Sequence, residues 1–287
     1  MVVAAGAGAA IDGSPDIGPL HGDAPREVSA SDVTLNAMTW NVCGDGAPDC
    51  PSGIRPADVV KKITALMKGG VAGGQKVTAN VVMLQRVCEG QLKSLRQGGL
   101  RSWSWAFAPS RPAKGKTAVC GGGQGQSGVA LGTERKLSGV QRVALPSPAI
   151  ESRTALCGTV AAWSTRVCTA RLSSAAKGDD PRGEWRERQT QALAGLLSGP
   201  RAVLGADLVD PPNTAPLDVL YRGFRECGQG PKGERTGAGT RQDGKGRAVD
   251  KVDYLFTTKS AQVTCGVPAA PMSAATHRPL YASVHFS

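Results

Sequence analysis

The stretch "ANVVMLQRVCEGQ" (79–91) decides how this chain is read. Val81–Leu84 form a short apolar run, the pattern of a strand buried on both faces. The run then stops at Gln85 and Arg86, and the next residues, "EGQLKSLRQGG", carry a helical pattern. A guanidinium at the end of a core strand must find a partner, because an unpaired buried charge is costly. The question is which chemistry gathers such residues at strand ends.

Working outward, the same signature recurs. "VTLNAMTWNV" (33–42) alternates and ends near Asn41, and "RAVLGADLV" (201–209) places Asp207 at the end of an apolar run. "KVDYLFTT" (251–258) opens with Asp253, and "HRPLYASVHF" (277–286) begins at His277. "RPADVVKKITALMKGG" (55–70) and "EWRERQTQALAGLL" (184–197) read as helices, the second with Arg186 and Arg188 on its solvent side. "WSWAFAPS", "GVALGTERKL", "TALCGTVAAW" and "TRVCTARL" read as further strands, the last two as a hairpin. Residues 228–250 hold seven glycines among many charges and read as a solvated surface loop. The mixture of hairpins and strand–helix–strand units predicts an α/β or α+β fold with mixed sheets. Residues 1–32, rich in Ala, Gly, Pro and Asp, are expected to form a mobile arm, a remnant of an export signal or linker. Residues 33–287 are expected to form a single domain.

The chain has 287 residues, 40% of them hydrophobic, and a formal net charge of +11. That charge favours anionic partners. No apolar run approaches the roughly 20 residues that span a bilayer, so no membrane span is expected, and a monomer is. The eight cysteines include no CxxC pair, and only three histidines are present, which disfavours a zinc site. An even count at wide spacing predicts disulfides and a secreted protein. The expected pairs are Cys43–Cys50, Cys88–Cys120, Cys157–Cys168 and Cys227–Cys265. The "GGGQGQ" run lacks the Lys-Ser/Thr of a phosphate loop. The five tryptophans read as core or helix anchors and His285 as structural.

Six short motifs in order, "TWNV" (39–42), "LQRV" (84–87), "ARL" (170–172), "GADLV" (205–209), "KVDYLF" (251–256) and "ATHRPL" (275–280), resemble those of the endonuclease/exonuclease/phosphatase superfamily. The resemblance spans residues 33–287. It implies a four-layer sandwich, two mixed β-sheets packed face to face and flanked by helices, with the site at one end. It also implies metal-assisted hydrolysis of phosphate esters, usually with Mg²⁺. Asn41, Asp207, Asp253 and His277 match the family pattern and are the candidate catalytic residues.

Four positions depart from that pattern. The family's metal-ligand Glu falls on Arg86, its first catalytic His on Arg171, its Asn after the Asp on Val209, and its last Asp on Thr276. Mg²⁺ needs hard oxygen ligands, and Arg cannot give up its charge to make room for a cation. Arg86 is therefore expected to pair with Asp207 or Asp253, and no cofactor is expected. An alternative keeps Mg²⁺ or Mn²⁺ on Asn41 and Asp207. The resulting expectation is a degenerate phosphodiesterase site, a pseudo-nuclease. Its cleft presents Arg86, Arg171, Thr276 and Arg278 to an anionic or phosphorylated ligand, nucleic acid among the candidates. A second expectation is a metal-independent enzyme that uses Asp253 and His277 as an acid–base dyad on a small molecule. A third is a residual metal-dependent nuclease or phosphatase.

Overall fold

Both faces of the central strands are apolar, so each strand must be covered on both sides. β1 (Val33–Asn41) turns Leu35 and Ala37 to one face and Met38 and Trp40 to the other, all buried. β4 (Val81–Cys88) does the same with Val81 and Met83 against Val82 and Leu84. The inward sets meet their counterparts Val167, Val203 and Leu255 from a second sheet. The outward sets are covered by helices. Burial of each Leu, Ile or Met side chain contributes about 1.5–3 kcal/mol.

The computed structural model describes residues 32–46, 56–110, 119–148, 152–176, 179–273 and 275–287. The expected N-terminal arm and Cys50 lie outside the described residues. After β1 come α1 (Pro56–Lys68), the small hairpin of β2 (Gly70–Ala72) and β3 (Gln75–Val77), and β4. α2 (Glu89–Gln97), β5 (Ser104–Pro109), β6 (Ser127–Thr133) and β7 (Leu137–Ala144) follow. β8 (Thr154–Val160), β9 (Thr165–Arg171), α3 (Glu184–Leu196), β10 (Ala202–Asp207) and α4 (Asp218–Gly223) continue the chain. It ends with β11 (Arg225–Glu226), β12 (Arg241–Gln242), β13 (Ala248–Asp250), β14 (Asp253–Thr257), β15 (Gln262–Gly266) and β16 (Leu280–Phe286).

One sheet has the order β15-β16-β1-β4-β6-β5 and the other β11-β14-β10-β9-β8-β7. Each has a parallel pair at its centre, β1 with β4 and β9 with β10, flanked by antiparallel strands. The two mixed sheets pack face to face, with α1 and α2 covering the first and α3 and α4 the second. This is the four-layer sandwich expected from the motifs. The sheets approach closely at Gly205, where a Cβ would lie 2.6 Å from the Met83 sulfur. Beside it Gln85 crosses between the sheets, its Nε2 donating to Thr39 and Thr169 hydroxyls at 3.0 Å each. Asp32–Ser287 form one compact unit. Among the described residues no helix is long and apolar enough to cross a membrane.

Three of the expected disulfides are present: Cys88–Cys120, Cys157–Cys168 and Cys227–Cys265. Cys157 and Cys168 are register partners in the β8–β9 hairpin. Cys227–Cys265 joins the end of β11 in one sheet to β15 in the other. Each such bridge adds typically about 2–4 kcal/mol.

The structure corrects two sequence readings here. Arg186 is buried, not on the solvent side of α3; it holds Asp210 at 2.7 Å and Asp180 at 3.3 Å. The buried stripe of α3 is Arg186, Gln189, Thr190 and Leu193, which has helical spacing but is mostly polar, so hydropathy could not reveal it. Residues 228–250 are not simply a solvated loop. They include the β12–β13 hairpin, buried Thr240 and Gln242, and Gly237, which packs on Lys251. Lys251 in turn pairs with buried Glu226 at 2.9 Å. Burial pushes the Glu226 carboxyl up despite that cation.

Candidate functional site

The site follows from strand register. Across the second sheet Asp207 lies opposite Arg171 on one side and opposite Asp253 on the other. Residues directly opposite each other share a face, so β9, β10 and β14 deliver Arg171, Asp207 and Asp253 as one row. The first sheet supplies Asn41 from the end of β1. His277 precedes β16, and its carbonyl accepts the Trp40 indole N–H at 3.0 Å. A bridge between Arg241 and His277 attaches the β12–β13 hairpin to the same edge.

Asp253 and His277 form a dyad, with Nδ1 and Oδ2 2.7 Å apart. When Nδ1–H donates to Asp253, Nε2 is the ring's working nitrogen, and it lies 3.4 Å from Asn41 Nδ2. Asp207 Oδ2 accepts from Asn41 Nδ2 at 2.8 Å and from Arg171 Nε at 3.2 Å, while Oδ1 accepts the Val209 N–H at 3.2 Å. These groups set one another's acidity. Burial drives the Asp207 carboxyl up, but the charges of His277 and Arg171 and the Asn41 and Val209 hydrogen bonds outweigh it, so its pKa falls. Asp253 rises, chiefly through burial and against the pull of His277. Burial opposes protonation of His277, yet the Asp253 carboxylate prevails and raises its pKa.

Arg171, Asp207 and His277 line a cleft of about 360 Å³ with Ser174, Ala175 and Val209. Asp210, Pro211, Arg241, Asp250 and Val252 complete the lining. Arg241 pairs with Asp250 across the hairpin. Asp210 accepts from Arg186.

Three expected cleft residues are elsewhere. Arg86 pairs with neither Asp207 nor Asp253. Its Nε and Nη2 both meet the Asp45 carboxylate, at 2.8 Å each, and the Ser127 hydroxyl donates to the same carboxylate at 3.3 Å. The cause is a bulge in β4 at Arg86, between Gln85 and Val87, where Arg86 adopts φ 53°. The bulge re-aims the side chain toward the turn after β1. Arg278 is also withdrawn. It is buried and donates to Gln242 Oε1 and to the carbonyls of Pro268, Ala269 and Gly246. Thr276 sits outside the cleft lining, its hydroxyl 3.1 Å from Cys43 Sγ.

Among the described residues, Asp207, Asp253 and His277 are the acid–histidine group whose ligand atoms all lie within 4.8 Å of one another. The donor set does not fit Mg²⁺, which takes near-octahedral oxygen ligands. The position at which the motif resemblance leads one to expect a carboxylate holds Arg86, committed to Asp45. Asn41 turns its Nδ2, not its oxygen, to Asp207, and its Oδ1 accepts the Cys43 N–H at 3.1 Å. Asp207 already holds a guanidinium. Among the described residues, the alternative of Mg²⁺ or Mn²⁺ on Asn41 and Asp207 therefore has no oxygen-lined socket.

Among the described residues, three of the four non-glycine residues with positive φ stand at this end of the sandwich: Cys43, Arg86 and Val209, at φ 52°, 53° and 68°. A β-branched residue in that region is a steric outlier. The sequence offered no signal for this strain, nor for Asp45 and Arg241, which sit in stretches without periodicity.

Solved structures give the class of this architecture. The human Nocturnin catalytic domain with bound sulfate superposes with a TM-score of 0.62 at 13% identity, over 92% of this chain and 100% of that one. An endonuclease/exonuclease/phosphatase from Beutenbergia cavernae gives 0.63 at 18% identity, covering 88% of this chain and 72% of that one. A mannosyl-6-phosphatase from Bacteroides thetaiotaomicron gives 0.59 at 13%, covering 88% and 100%. No family model matches the sequence, and no curated protein does. The chain has the fold of these endonuclease/exonuclease/phosphatase structures.

Proposed function

We propose that this protein is a pseudo-nuclease: a phosphodiesterase/phosphatase-type fold without divalent-metal chemistry, whose cleft receives the ionised group of a ligand through Arg171. The observation that carries the proposal is the pair of guanidinium–carboxylate contacts, Arg86 on Asp45 and Arg171 on Asp207, where metal-ligand oxygens would be needed. Arg171 uses only Nε on Asp207, and its two terminal nitrogens have no partner among the described residues. A planar guanidinium with free N–H groups is suited to a phosphate or carboxylate. Of the four residues expected for this role, Arg171 lines the cleft and Arg86, Thr276 and Arg278 do not. The three disulfides support export to an oxidising compartment.

The 2.7 Å dyad favours a second reading, metal-independent acid–base catalysis. Asp253 would hold the imidazole while Nε2 takes or returns a proton at the cleft wall. One set of assays separates the readings. Hydrolysis of bis(p-nitrophenyl) phosphate is measured with Mg²⁺, with Mn²⁺ and with EDTA, beside calorimetric titration of inorganic phosphate. The proposal expects phosphate binding that is lost in Arg171→Ala, and no metal-dependent turnover. Turnover that survives EDTA and vanishes in His277→Ala selects the dyad. Robust turnover requiring Mg²⁺ or Mn²⁺ defeats both.

A further inference from the structure

The Cys227–Cys265 bridge differs from the other two described bridges in access. Cys88, Cys157 and Cys168 are 0% exposed and Cys120 is 2% exposed. Cys227 is 9% exposed and Cys265 is half-buried. Both line a pocket of about 230 Å³, together with Gly228, Gln229, Lys251 and Leu280. A thiol from solvent can therefore reach this bridge in the folded protein, and access is one of the conditions of thiol–disulfide exchange.

A buried carboxyl beside the bridge is the second, independent observation. Glu226 is 1% exposed. Its Oε2 accepts from Lys251 Nζ and from the Gly228 N–H, at 2.9 Å each. Its Oε1 lies 3.6 Å from Cys227 Sγ. A sulfur in a disulfide carries no proton, so this contact gains an S–H donor when the bridge opens. Besides Lys251, Tyr221 of α4 and Tyr254 of β14 are close enough to feel the charge of Glu226. Burial pushes both phenols up, so both stay neutral. Burial likewise pushes the Glu226 carboxyl up, which lets it hold a proton. Opening the bridge leaves both strands anchored: β11 keeps its pairing with β14, and β15 its ladder with β16.

We propose that Cys227–Cys265 is a thiol–disulfide exchange site for a low-molecular-weight thiol, with Glu226 as its proton donor and acceptor. The incoming thiolate attacks Sγ of Cys265, the more exposed half of the bridge. A new S–S bond forms there as the bond to Cys227 breaks. Cys227 leaves as a thiolate and takes the proton of the Glu226 carboxyl, and Lys251 holds the resulting carboxylate. In reverse, Glu226 takes that proton back, the Cys227 thiolate attacks Cys265 Sγ, and the small thiol is released. The site shares no lining residue with the Arg171 cleft, so it stands or falls apart from the proposed function.

The test treats native protein with 2-mercaptoethanol, traps free thiols at intervals with N-ethylmaleimide, and maps the products by peptide mass spectrometry. Opening of Cys227–Cys265 is expected at least about ten-fold sooner than that of Cys88–Cys120 or Cys157–Cys168, since exchange follows access. Glu226→Gln should slow this bridge alone by about ten-fold, less than a full proton transfer supplies because a thiolate leaves without complete protonation. In the wild-type protein the rate per thiolate should fall as pH rises and Glu226 ionises. Three bridges opening together, or either of the others opening first, overturns the exchange site. A Glu226→Gln rate equal to wild type, or a flat wild-type profile per thiolate, overturns the role of Glu226 and the proposal with it. Faster opening of all three bridges in Glu226→Gln marks loss of its fold, and the wild-type profile then decides.

Discussion

Two arginines stand at one end of this sandwich, where the motif resemblance leads one to expect other residues, and they behave differently. Arg86, at a bulge of β4, is sealed against Asp45, its side chain 7% exposed and both sides of its fork engaged. Arg171, at the end of β9, is 18% exposed, touches Asp207 with one nitrogen and faces the cleft. The first is a plug and the second a tool. An arginine at the end of a core strand is thus not by itself an anion site. Its neighbours decide, through how many of its N–H groups they consume.

The comparison breaks most visibly at Arg86. Arg86→Ala leaves Asp45 facing a partly buried gap and is expected to destabilise the fold by about 3 kcal/mol, measured by urea denaturation, with the phosphate affinity of folded protein little changed. Arg171→Ala should show the reverse. Phosphate binding should fall by ten-fold or more, the scale of about 1.5–3 kcal/mol for a charged hydrogen bond. The urea midpoint should move less than for Arg86→Ala, because Asn41 and the Val209 N–H still hold Asp207. A larger stability loss at Arg171 than at Arg86 would reverse the assignment.

Val209 sharpens the same contrast, since it strains the backbone on the cleft side. Val209→Asn is expected to raise stability by about 1 kcal/mol by relieving the left-handed conformation. An unchanged or lower urea midpoint would remove strain as an account of that position.

The titrations follow with fixed signs. His277 has its pKa raised in the fold, so its contribution is fully present below the ordinary value of 6.5 and fades as pH rises through the folded value. Asp253, also raised, has the same sign. Asp207 is lowered, so its contribution is present above 3.8 and fades as pH falls through the folded value. Stability should therefore decline on the alkaline side through the dyad, and Asp253→Asn should flatten that slope in urea midpoints taken from acid to alkaline pH. The smallest expected effect is that of Mg²⁺. At millimolar concentration it should leave the melting temperature unchanged, since a ligand without a site on the native state shifts nothing.

The sequence displayed the sandwich because its central strands carry polar residues at the edges of their apolar runs: Asn41 and Asp207 close theirs, and Asp253 opens its own. Sheet register then aligns Arg171, Asp207 and Asp253, which no linear pattern states but parallel β9–β10 pairing enforces. The partners of the arginines were less legible. Asp45 lies in a turn with no periodicity, Arg186 faces inward on a polar helix stripe, and Arg278 sinks among loop carbonyls. Such choices depend on local backbone turns and on which carbonyls lack a donor. Hydropathy does not record either.

In the first sheet, β1 lies between β4 and β16, the last strand of the chain. Val33 pairs with Phe286 and Thr39 with Leu280, so the first and last strands are mutual neighbours at the sheet's centre. Pairing across almost the whole chain carries a high loop-closure cost and is slow. A nascent chain cannot close this sheet until residues 280–286 have left the ribosome. Asn41 and His277, which flank that pairing, meet only then, so a polypeptide stopped short of Leu280 has nothing to assemble the cleft with.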